Sequence, residues 1–80
     1  MSYYAPIPSP AAAAQSLGRW LLSQARRDDA IGQLAAAAAR DSQFPRDGDY
    51  KAISGRLNAI GADPEMHEAL DQADLDWSAY

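Results

Sequence analysis

Cysteine is missing from these 80 residues, and histidine occurs once. The first absence excludes disulfides and thiolate metal ligands, and His67 cannot build a zinc site alone. A cysteine-free chain fits a reducing compartment, so a cytoplasmic location is the expectation. Long apolar runs are lacking too. The longest, residues 34–39, falls far short of the ~20 residues that cross a bilayer, and no membrane association is expected. No Lys or Arg occurs near the start, and prolines at 6, 8 and 10 break any apolar stretch there, so a secretory signal is not expected either. Period-2 alternation, internal repeats, phosphate loops and nucleophile motifs are also absent, which leaves no cofactor to expect.

What remains is one small domain, near the lower size limit for folding without disulfides or metals. The net charge of −4 conceals an asymmetry. Residues 63–80 carry Asp63, Glu65, Glu68, Asp71, Asp74 and Asp76 with no Lys or Arg, a balance of −6. The other five acids face all seven basic residues within 1–62, a balance of +2. Such a run reads first as a solvated helix face, and second as a surface that repels phosphate and attracts a basic partner.

Residues 1–15 differ in kind from the rest. Pro6, Pro8 and Pro10 favour an extended polyproline II-like leader, and Tyr3, Tyr4 and Ile7 are large apolar groups ill suited to a solvated tail. They suit contact with the bundle or with another chain. From residue 16 to 80 the pattern is helical. Leu17, Trp20, Leu21 and Gln24 share one face, predicting a first helix from Gln15 or Ser16 to about Ala25, with Arg26-Arg27 at its end. Asp28 or Asp29 caps a second helix that buries Ile31, Leu34, Ala35 and Ala38. Gly32 there marks a tight helix contact, Pro45 stops the run, and Phe44 plugs the core. Asp49 caps a third helix burying Ile53, Leu57 and Ile60, and Gly61 takes the left-handed terminal position. Asp63-Pro64 opens a fourth with a stripe of Met66, Leu70, Ala73, Trp77 and Tyr80.

The ordered set Trp20-Leu21-Leu22, Gln24, Arg27-Asp28-Asp29, Ile31-Gly32, Leu34-Ala35, Asp41, Phe44-Pro45, with Trp77 and Tyr80 closing the chain, resembles the bacterial YozE-type, sterile-alpha-motif-like (SAM-like) domain over about residues 17–80. Leu17, Ala30 and Arg56 depart from its pattern, standing where an aromatic, a Pro and a Tyr are common. The resemblance implies an all-α, orthogonal bundle of four or five short helices. The broader sterile alpha motif class binds proteins, self-associates or, in some members, binds nucleic acid, and the resemblance supplies no catalytic residues.

Candidate chemistry is thin. Trp20, Phe44, Trp77 and Tyr80 occupy stripe or plug positions and read as core. Arg27-Asp28-Asp29 reads as a cap rather than an acid pair or an Mg2+ site. His67 has no partner for acid–base work or for a Ser-His-Asp triad. Two residues break the pattern: Leu22 and Leu75 point away from their helices' apolar faces. Together with Tyr3, Tyr4, Ile7, Asp71 and Asp74 they are the candidate partner-binding residues. The expected function is a non-enzymatic protein-interaction module, monomeric or weakly self-associating, with a protein partner. The alternative is nucleic-acid binding by a basic face of Arg19, Arg26, Arg27 and Arg46, which an acidic pI of about 4.6 disfavours. Several arginines are expected to pair with the acidic last helix.

Overall fold

The computed structural model describes residues 15–79. Expectations resting on Tyr3, Tyr4, Ile7 and Tyr80 lie outside the described residues. Within them all regular structure is helical: α1 Leu17–Leu22, α2 Ala30–Ala39, α3 Tyr50–Ala59 and α4 Pro64–Ser78. This is the small helical bundle that the stripes predict.

Local chemistry sets each boundary. Ser16 caps α1, its hydroxyl accepting the Arg19 amide at 3.2 Å. The helix stops at Leu22, earlier than expected, and residues 23–26 form turns. Ser23 caps it and turns its hydroxyl onto the Trp20 carbonyl, a local bond of the kind that competes with helix continuation. The arginine pair therefore follows a turn rather than closing a helix. Asp29 caps α2 through the Gly32 amide at 2.9 Å, and Ala30 sits at the first helical position. Asp49 caps α3 through the Ala52 amide at 2.9 Å.

The end of α3 follows the glycine signal. Gly61 adopts φ +67°, its amide donates to Asn58 O at 3.2 Å, and the Ala62 amide donates to Leu57 O at 2.9 Å. That pair of bonds is the Schellman termination. Ile60, expected in the core, is 53% exposed. It is the C-cap residue, so the apolar stripe outlasts the helix that would have buried it. Asp63 opens α4 by backbone conformation only, its side chain making no capping bond, while Pro64 removes one amide that would need a partner.

Leu17, Leu21, Leu34, Ile53 and Leu70 are fully buried, with Trp20 and Phe44 beside them. No charged or polar side chain joins that core among the described residues. Helix α4 packs against all three other helices, most extensively against α2. Ala69 and Ala73 on α4 and Ala35 and Ala38 on α2 are buried, and side chains this small let helices approach closely. Trp77 is half-buried against the core, and its indole N–H donates to Gln15 O at 3.1 Å, pinning the start of α1 to the end of α4. The start of α1 also rests on the α2–α3 loop, with Gly18 N donating to Gly48 O at 3.0 Å and Ser16 Oγ to Arg46 O at 3.3 Å.

Candidate interaction surfaces

On α4 the stripe of Met66, Leu70, Ala73 and Trp77 faces inward, so at 100° per residue Leu75 lies opposite it. Leu75 is 61% exposed, the most exposed large apolar side chain among the described residues. Glu68, Asp71 and Gln72 share its outer face and are exposed. On the edge towards α3, the Tyr50 hydroxyl donates to Asp71 Oδ1. That hydrogen bond raises the Tyr50 pKa above its ordinary value, with the negative charge of Asp74 adding to the effect. The opposite edge forms a groove of about 400 Å³ against α2, lined by Asp29, Asp63, Glu65 and Glu68 around Met66 and Ala69.

Leu22 does not join this surface. It is half-buried and packs against the core.

The arginines are distributed differently from expectation. Among the described residues only Arg27 forms an ion pair with the acidic helix, through Asp76 Oδ2 at 3.3 Å. Its guanidinium also holds Asp29 Oδ2 at 3.0 and 2.7 Å and Gln24 Oε1 at 3.4 Å. The Gly32 amide, followed by Arg27, holds the Asp29 carboxyl below the usual carboxylate range. Arg27 and Asp29 thus form a clasp that ties the α1–α2 turn to α2 and, through Asp76, to α4. Arg19 pairs with Asp47. Arg56 makes two bonds of 2.8 Å to the two oxygens of Asp41. This bond and the Gln43 amide lower the Asp41 pKa. Of the basic face Arg19, Arg26, Arg27 and Arg46, the first and third are engaged by carboxylates, while Arg26 and Arg46 are exposed.

A second concavity escapes the sequence. A notch of about 190 Å³ opens where the C-terminal ends of α2 and α3 meet the start of α4, lined by Ala37, Phe44, Ile60 and Met66 and bounded by the Asp41–Arg56 pair. Its apolar floor is continuous with the core. Ile60 is the one signal that would have found it, as a stripe residue placed one step past its helix. Trp20 and Phe44 are buried, so they offer no stacking platform. His67 is half-buried and makes no side-chain hydrogen bond or ion pair among the described residues.

The all-helical fold of the described residues is that of a small bundle, and the family model of the YozE SAM-like fold matches residues 17–80. The chain belongs to that family. The YozE SAM-like match begins at the first residue of α1 and leaves the Pro-rich leader outside it. No curated protein and no solved structure matches the chain. As a YozE SAM-like chain it is a small helical module. No described helix is long and apolar enough to cross a membrane, and no three potential metal ligands converge among the described residues.

Proposed function

We propose that the chain is a non-catalytic protein-interaction module that offers the outer face of α4, with Leu75 between Asp71 and the edge residue Asp74, to a basic partner. The observation that supports this reading most is Leu75, 61% exposed on a well-formed helix and surrounded by carboxylates that the molecule leaves largely uncompensated. Of the six acids in residues 63–80, Asp76 alone is in an ion pair among the described residues. An apolar anchor within a charged rim is how protein interfaces divide their work, the anchor supplying affinity and the rim steering encounter. The shape also favours binding over catalysis. The carboxylates with shifted pKa values, Asp29, Asp41 and Asp47, are all held low by arginine or amide partners, the opposite of a general acid held protonated near neutral pH.

Affinity capture from the native host, comparing the wild-type chain with Leu75→Ser and with Asp71→Lys/Asp74→Lys, tests the reading. Both variants are expected to remain folded and to lose the same partner. Equal recovery by all three forms would remove the α4 face from consideration. The ion pairs of Arg19 and Arg27 weigh against the nucleic-acid alternative, and a gel shift at low salt, where phosphate binding is strongest, decides it.

A further inference from the structure

The apolar notch and the acidic groove share a wall. Met66, at the start of α4, lines both and is only half-buried. The two concavities also follow one face of α2. Ala30 and Gln33 line the groove and Ala37 the notch, and at 100° per residue these three fall within about 60° of one another. Together they make one cleft, acidic towards the N-terminus of α2 and apolar towards its C-terminus.

Each half asks for a different chemical group. At about 190 Å³ the notch is below the ~300–1,000 Å³ typical of small-molecule sites, and it suits a single aliphatic side chain. Ile60, which lines it, is 53% exposed and has surface left to cover. Asp41 and Arg56, the charges at its edge, satisfy each other through two 2.8 Å bonds, so the notch asks for no charge. In the groove, Arg27 holds Asp29. Asp63, Glu65 and Glu68 are exposed, and their side chains are in no ion pair or hydrogen bond among the described residues. No basic residue lines the groove. Met66 and Ala69 give it an apolar strip on which the stem of a Lys or Arg can lie while its head meets the carboxylates. The spacing then selects a peptide. Ala30 and Ala37 are about 10 Å apart along α2 at 1.5 Å per residue. A polyproline II segment, with three residues per turn at about 3.1 Å each, sets positions i and i+3 on one edge about 9 Å apart.

We infer that this cleft binds an extended segment of a partner protein, with a Leu or Ile seated in the notch and a Lys or Arg three positions away over Asp63, Glu65 and Glu68. The inference uses neither Leu75, Asp71 nor Asp74, so it goes beyond the outer-face reading and does not depend on it.

The probe is a fluorescein-labelled, proline-rich peptide with one leucine and one arginine three positions apart. It is titrated with the full-length chain at low salt and read by fluorescence polarisation. Saturable binding is expected, weakened about tenfold or more when the peptide's leucine becomes serine or its arginine becomes glutamate. On the protein, Ile60→Ser and Glu65→Gln/Glu68→Gln, all at exposed positions, are expected to keep the helical circular dichroism signal and to weaken binding similarly. Leu75→Ser should leave it unchanged. Peptide-induced amide shifts should cluster at Ala37, Met66 and Ala69. An absence of saturation at millimolar protein would overturn the inference. Binding that ignores the peptide's leucine would reduce the cleft to charge attraction, and shifts centred on Leu75 would move the peptide to the outer face; either result overturns it as well.

Discussion

Two helical glycines should answer the same substitution with opposite signs. A Cβ built on Gly55, within α3, meets nothing within 4 Å. Gly55→Ala therefore removes only the flexibility penalty of glycine in a helix, a gain of about 0.5–1 kcal/mol. A Cβ on Gly32 would lie 1.9 Å from the Arg27 carbonyl oxygen and 2.6 Å from its carbon. These are backbone atoms of the turn that Arg27 clasps to Asp29 and Asp76, so relief requires that turn to lift off α2. Overpacking of this kind costs about 1–3 kcal/mol, and loosening of the clasp adds to it. The propensity gain of at most about 1 kcal/mol is outweighed, and Gly32→Ala should destabilise by about 2 kcal/mol. In a domain this size ~1 kcal/mol moves Tm by about 4–8 °C. Gly55→Ala should melt several degrees above wild type and Gly32→Ala well below it, with matching urea midpoints and unchanged slopes. A Gly32→Ala protein as stable as wild type would refute the close approach of the Arg27 turn.

Four further outcomes follow from the same structure. Leu70→Ala, at a fully buried position, should cost about 2–5 kcal/mol by denaturant titration, a large share of a small domain's stability. Arg56 holds Asp41 below its ordinary pKa of 3.8 in the folded chain, so its contribution is present above that value and is lost as pH falls through the depressed one. The stability gap between wild type and Asp41→Asn should therefore be constant near neutral pH and shrink below about pH 4; a gap that ignores pH would count against the pair. Asp71 raises the Tyr50 pKa from 10.0, so an absorbance titration should show one late-ionising tyrosine that Tyr50→Phe abolishes, and the stability it confers should be lost as pH rises through that raised value. Trp77→Phe deletes the indole bond to Gln15 O and should cost about 1 kcal/mol, with faster amide exchange at the start of α1.

The helices and their caps were legible because each is a local event. Asp29, Asp49 and Gly61 act within three residues of where they stand, and Leu34, Ile53 and Leu70 repeat with the helical period. Misreadings arose where a distant residue decides. Gly32 was expected to mark a helix–helix contact, and its neighbour is instead the Arg27 turn. Several arginines were expected to serve the acidic helix, but Arg56 goes to both oxygens of Asp41 and Arg19 to Asp47. Leu22 pointed outward by angle alone, and in the folded chain it lies half-buried against the core. Leu75 was readable as exposed, since the angle on a 15-residue helix is reliable. The notch was not readable, because it depends on how three helix ends converge.

Helix α4 touches every other helix, and Ala69, Leu70 and Ala73 complete the core from its inner side. Since it is also the last of the four in chain order, a growing polypeptide cannot close its interior until this segment has left the ribosome. Until then Leu34, Ile53 and Leu57 lack their covering layer, a state prone to association with other chains. The acidic residues of α4 are thus synthesised together with the piece that ends that vulnerable interval.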